Sequence, residues 1–353
     1  MLLPTPTPVP PMVWCHNDCS TLLSAVPGLG HPFSLTGVSV DGAGGEFHHL
    51  PVLFDEVLHY LAPERGKVII DGTLGGGGHS RALLERGCKV IGLDQDPEAL
   101  AAATRELAVF GDNFVPRRAN FAEVASVARE LAPDGVDGLL LDLGVSSHQF
   151  DSAERGFSLQ ADGPLDMRMN PDGPLTAADI VNTWGEGELA DLFFELGEER
   201  KSRAVARALV KRRAERPFET TLDLAEVVAG VVRKSGKIHP ATRVFQALRL
   251  RVNAELEVLR KALAAAPALL RPGGRLVVIS FHSLEDRIVK HFLREHGEPE
   301  IDRPEWPAPR PNPDYAFEVL TRRPVTAGER ELASNPRARS AKLRVAKKIL
   351  PAQ

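Results

Sequence analysis

VIIDGTLGGGGHS, Val68 to Ser80, decides the fold: a short β-branched run ends on an acid, five glycines follow within seven residues, and a helical pattern begins at once. The order is strand, backbone loop with almost no side chains, helix. Glycine allows positive φ and close approach of a ligand to the main chain, and a helix N-terminus offers free N–H groups. The stretch reads as a loop for a nucleotide-type cofactor, the alternative being a merely tight strand-to-helix turn.

The next apolar run, KVIGLDQDPEAL, puts Asp94 at the end of a second strand, where an acid can accept hydrogen bonds from both hydroxyls of a ribose. NAD and S-adenosylmethionine both meet that spacing. The loop itself runs Asp71, Gly72, Thr73, Leu74 and then Gly75 to Gly78, which is not the G-x-G-x-x-G of a dinucleotide site. On these residues alone the ligand stays open.

With 353 residues, 43% hydrophobic and 25% charged, the chain can bury a large core and is read as one big domain with an addition. No run approaches the roughly 18 to 20 apolar residues of a membrane span. Three cysteines make no disulfide framework, so a reducing cytoplasm is expected. Cys15, His16 and Cys19 lack an obvious fourth zinc ligand, and no metal is expected. Residues 1–45 open on MLLPTPTPVPPMVW and have no sustained period, so a disordered, proline-rich extension is expected; without Lys or Arg at its start it is no signal peptide.

Beyond it, strands and helices alternate: a helix over 52–61, strand 68–70, helix 79–86, strand 89–93, helix 97–109 and strand 137–143. Repeated βα units predict a parallel sheet, whose ligands lie beyond the carboxyl ends of the strands. Asp71, Asp94 and Asp142 all fall there, converging on one crevice or each capping the next helix. The strand pattern resumes only at RPGGRLVVISF, residues 271–281, which leaves about 100 residues as an inserted helical subdomain, more than a crossover needs. One of its helical stretches spans ELADLFFELGEERKSRAVARALVKRR.

Charge is uneven along the chain. The total is −4, yet residues 200–251 hold fourteen Lys or Arg against four Asp or Glu, and residues 322–348 hold nine against two. Such segments suit an anionic polymer, with a bland solvated surface as the alternative. Arg203, Arg207 and Lys211 line up at helical spacing for phosphates.

HLPVLFDEVL, DGTLGGGGHS, LDLGVSSHQF, ERGFS, GPLDMRM, GEER, HPATRVFQALR, ISFHSLEDRIVK and NPRARSAKLR together resemble the bacterial MraW (RsmH) family over about residues 49–348. The family consists of S-adenosylmethionine-dependent 16S rRNA cytosine-N4 methyltransferases. The resemblance implies an α/β fold: a Rossmann-like class I methyltransferase sheet with helices on both faces, interrupted by an all-helical subdomain. It implies a discontinuous methyltransferase domain over 46–150 and 251–335, a helical RNA-recognition insertion over 151–250, and a basic tail over 336–353. The implied partner is 16S rRNA within the 30S subunit or its precursor, with no membrane; a homodimer is left open.

The same resemblance places Gly77, Gly78 and His79 at the methionine end of S-adenosylmethionine, Asp94 on the ribose and Phe121 on the adenine, with Asp142 and Gln149 completing the cofactor set. An activated methyl group needs mainly positioning, plus an acceptor for the amino proton. Asp142 and the loop from Gly144, with Ser146, lie where that acceptor is needed, although LDLGVSS lacks the [DN]-P-P-[YF] common in amino methyltransferases. His148, where the family tends to have proline, reads as a surface residue rather than a base. His282 either lines the substrate side or caps the next helix. Asp166, Arg168, Arg243, Gln246 and Arg249, with Asn253, are candidates for gripping RNA. An NAD-dependent dehydrogenase, a non-catalytic RNA-binding protein and a DNA methyltransferase are the competing functions.

Overall fold

The computed structural model describes residues 51–350 apart from 147, 148, 151, 235, 237 and 238. The proline-rich extension with Cys15, His16 and Cys19, and the loop residue His148, lie outside the described residues.

Seven strands form one sheet: β1 (Val68–Asp71), β2 (Lys89–Asp94), β3 (Phe114–Arg118), β4 (Val136–Asp142), β5 (Leu270–Ser280), β8 (Phe317–Val319) and β9 (Lys342–Lys348), ordered β3-β2-β1-β4-β5-β9-β8. The first five are parallel, and β9 runs antiparallel to both of its neighbours. A short separate hairpin pairs β6 (Glu300–Ile301) with β7 (Arg310–Pro311). Near-continuous apolar runs such as VDGLLLD suit strands covered on both faces. Side chains alternate accordingly: Ile70, Leu139 and Leu141 enter one core, while Ile69, Leu140 and Val277 enter the other.

The first helices are α1 (Phe54–Leu61), α2 (Gly78–Glu85), α3 (Pro97–Leu107) and α4 (Val124–Leu131). Gly77 caps α2 in the left-handed region at φ 78°, and a Cβ on Gly78 would lie 2.5 Å from Pro51 Cγ. Between β4 and β5 come α5 (Ala177–Thr183), α6 (Glu186–Glu195), α7 (Ser202–Arg213), α8 (Thr221–Val231), α9 (Thr242–Val252) and α10 (Glu255–Leu269). Phe193, Leu209, Phe218 and Leu248 belong to a core of their own there, whereas α10 packs Leu259 and Leu263 onto the sheet. After β5 follow α11 (Ser283–Gly297) and α12 (Glu329–Ser334).

Two expectations are corrected. The stretch ELADLFFELGEERKSRAVARALVKRR is two helices, not one, because the chain turns at Gly197 and Glu198: Glu198 takes φ 51°, and a Cβ on Gly197 would meet the carbonyl oxygens of Phe193 and Arg243. The basic tail over 336–353 contains an internal strand of the sheet. In KLRVAKK the buried Leu343 and Val345 alternate with Arg344, itself buried and bonded through Nε to Asp286 Oδ1 at 2.7 Å, so the charge masked a period of two.

Since, among the described residues, β9 is the only strand paired with β8 and with that side of β5, a chain truncated after Ala341 should lose its cooperative thermal transition. Circular dichroism melting of the truncated and full chains checks this.

Candidate active site

The carboxyl ends of β1, β2 and β4 bring Asp71, Asp94 and Asp142 to one edge, but the three acids do different things. Asp71 is buried and turned into its own loop, accepting from Ser80 Oγ at 2.7 Å and from Thr73 N at 3.2 Å, and burial raises its pKa. It organises the loop. Asp94 accepts from Gly75 N and Asp96 N, both at 2.9 Å, and burial pushes its pKa up to about 6. Asp142 is the acid with capacity to spare: its N–H donates to Thr73 Oγ1 at 2.7 Å, while its buried Oδ1 has no hydrogen-bond partner. Burial, with Asp71 and Glu285 nearby, raises its pKa well above the usual carboxylate range.

His79, on the first turn of α2, is fixed by Val52 O at 3.1 Å from Nε2 and stacks on Phe54. Burial lowers its pKa to about 4, so the ring is neutral. The contact with the carbonyl assigns the proton to Nε2, which turns the lone pair of Nδ1 toward Asp142 Oδ2, 3.8 Å away. Gly77 and Gly78 permit the tight entry into α2 described above.

A cleft opens beside these groups, lined by Thr73, Phe121, Leu143 and Gly144 on the sheet side and by Met169, Asn253, Glu255 and Glu285 on the other. Asn120 positions Phe121: it caps the turn Phe121–Glu123 and donates from Nδ2 to Gln95 Oε1 at 2.7 Å. The far wall is a buried ionic cluster. Arg249 binds Glu255 Oε1 and Oε2 at 2.9 and 3.1 Å, and His282 Nε2 lies 3.1 Å from Glu285 Oε1. Burial leaves the Glu255 pKa raised even beside Arg249, whereas His282 and Arg249 hold Glu285 below its ordinary value in spite of burial.

Several residues expected to touch ligands have partners within the protein. Gln149 is buried, donating from Nε2 to Asp96 Oδ2 at 2.8 Å and accepting from Ser146 N at 3.1 Å, and Ser146 Oγ accepts from Gln149 N at 3.2 Å. The two residues brace each other rather than line the cleft. His282 is the N-cap of α11, in a capping box with Glu285, so the cap role is the one observed. Arg168 is engaged by Asp166, Nη2 to Oδ2 at 2.6 Å, and Gln246 Nε2 by Leu196 O at 3.2 Å. With Arg249 held by Glu255, each of Asp166, Arg168, Gln246 and Arg249 has a partner inside the fold. Arg203, Arg207 and Lys211 stand exposed on α7, Arg207 Nε 3.5 Å from Glu186, and Arg243 is half-exposed and 3.8 Å from Glu199.

Asp96 and Arg155 were not singled out in sequence. Asp96 is fully buried, caps α3 through Glu98 N at 3.0 Å and receives Arg155 Nη1 at 2.7 Å; Arg155 Nη2 reaches the carbonyls of Arg168 and Met169. The signal available was D-P-E, an N-cap followed by proline at N1.

The residues fit S-adenosylmethionine: an acid at the end of β2 for the ribose, an aromatic wall at Phe121, and an unpartnered carboxyl at the end of β4 that can take a hydrogen-bond donor. Together with the strand order and the reversed strand at one side, they define the Rossmann-like class I methyltransferases, which use S-adenosylmethionine. The MraW methylase family model matches residues 46–349, and the chain belongs to that family. It is 50% identical over 307 residues to ribosomal RNA small subunit methyltransferase H of Carboxydothermus hydrogenoformans, covering 86% of this chain and 99% of that one. The protein of that name from Heliobacterium mobile is 51% identical over 312 residues, with 86% and 100% coverage.

Ribose hydroxyls need an ionised acceptor, and the Asp94 carboxyl takes up a proton below about pH 6. Affinity for S-adenosylhomocysteine should therefore be flat above pH 7 and fall, by up to about tenfold per unit, as the pH drops below 6. Asp94→Asn should bind weakly with a flat profile. Calorimetric titration from pH 5 to 8 checks both, and a flat wild-type profile removes Asp94 from the cofactor site.

Proposed function

We propose that this chain methylates the exocyclic N4 of a cytosine in 16S rRNA, within the 30S subunit or its precursor, in the cytoplasm. The relatives that cover nearly their whole length are ribosomal RNA small subunit methyltransferases. Among the described residues no helix is long and apolar enough to cross a membrane. The observation that carries the chemistry is the unpartnered, buried Oδ1 of Asp142 at the carboxyl end of β4, one residue before Leu143 of the cleft wall.

Bound S-adenosylmethionine supplies a methyl group already activated on a sulfonium, so the protein's task is chiefly to position the amino nitrogen. Asp142 accepts a hydrogen bond from the amino group, which localises its lone pair, and receives the proton that leaves once nitrogen is methylated. A protonated Asp142 would accept that hydrogen bond more weakly and could not receive the proton. Positive charge brought into the cleft favours the ionised form and so opposes the rise that burial and the neighbouring acids cause. Phe121 and Leu143 exclude water from one side, and the buried cluster of Arg249, Glu255, Glu285 and His282 closes the other.

Outside the cleft, Arg203, Arg207 and Lys211 on α7 offer three exposed cations at i, i+4 and i+8 to the phosphates of the same RNA. A cytosine inside a helix cannot reach the cleft, so the target base is unstacked before it reacts.

Tritium transfer from labelled cofactor to 30S subunits, naked 16S rRNA and DNA, followed by nucleoside analysis, should yield N4-methylcytidine from the ribosomal substrate alone; label in DNA overturns the assignment. Asp142→Asn should lower the single-turnover rate at saturating cofactor by about a hundredfold or more. Arg203→Glu with Arg207→Glu should weaken RNA binding and flatten its salt dependence without changing cofactor affinity. Filter binding across a salt series measures this.

A further inference from the structure

Phe150, exposed, and Arg337, partly buried, form a stacked pair near the carboxyl edge of the sheet that carries Asp142, and we propose that this pair is a platform that holds the base adjoining the target cytosine in the substrate RNA. This rests on the RNA-methylating function above and names a contact for it.

Phe150 is 37% exposed although the residue before it is buried. Its place is nonetheless fixed: its N–H donates to Ser146 O at 3.0 Å, and Gln149 is bonded to the buried Asp96. The guanidinium carbon of Arg337 lies 5.3 Å from the ring centroid. Arg337 sits on the turn Pro336–Ser340, which the buried Asn335 starts by accepting from Arg337 N at 3.2 Å. That turn leads into β9, whose Lys342 pairs with Ser280 at the carboxyl end of β5, the edge that also carries Asp142. An apolar ring on a rigid support, a guanidinium over it and exposed Arg339 on the same turn match a nucleobase with its phosphate. Exposed Arg322, Arg323, Arg330 and Arg339 leave this segment cationic even with Arg344 buried on Asp286, which favours a polyanionic nucleic acid.

The chemistry supplies a reason for the platform. When the target cytosine leaves its stack, the neighbouring base loses a partner on one face, and an aromatic ring near that sheet edge can replace it. Any base has a π-face, so this contact positions the strand without reading its sequence.

Stacking of one base is worth about 1–3 kcal/mol, so Phe150→Leu should lower kcat/KM for the ribosomal substrate roughly tenfold or more, with S-adenosylhomocysteine affinity and melting temperature unchanged. Phe150→Trp should keep wild-type kcat/KM. Benzoylphenylalanine introduced at position 150 should crosslink to a nucleotide adjoining the methylated cytosine, and this holds even if the leucine variant folds poorly. Leucine activity within twofold of wild type, or crosslinks confined to RNA remote from the methylated residue, overturns the platform. Wild-type protein that methylates no ribosomal RNA would instead overturn the function on which it rests.

Discussion

The carboxylate of Asp96, fully buried, holds together parts of the chain far apart in sequence. It caps α3 behind the second strand, fixes Gln149 after the fourth, and draws in Arg155, which in turn holds the carbonyls of Arg168 and Met169. A buried charge is tolerated only where partners compensate it, and removing one typically costs about 3–5 kcal/mol. The cleft depends on this bond. Its sheet side comes from Thr73, Phe121 and Leu143, its other side from Met169 and Asn253, and Arg155 is what ties the loop carrying Met169 to the end of the second strand.

Much of this was legible because strand periodicity and glycine placement are local properties. Val68 to Asp94 announced two strands, a loop and an acid, and the structure has them within a residue or two. Asp142 was legible as an acid at a strand end. What separates it from Asp71 is the direction of the side chain, inward to Ser80 in one and unpartnered in the other, and nothing in a linear sequence encodes that.

The partners of the polar candidates were not legible. Gln149, Asp166, Arg168, Gln246 and Arg249 have the chemistry of ligand contacts, and each is also bonded to another group of the protein. A sequence shows that a guanidinium is present but not whether a carboxylate waits opposite it. Arg344 taught the same lesson at the end of the chain, where charge suggested a tail and Asp286 made a buried strand possible.

That strand bears on how the molecule is made. Ser280 on β5 and Lys342 on β9, bonded across the sheet, are 62 residues apart, and β9 is the last strand to be synthesised. Until it arrives, β5 is the unpaired edge strand of the nascent sheet, the kind of surface on which chains misassociate. Five parallel strands and the helical insertion are synthesised before the seven-residue segment that covers this edge.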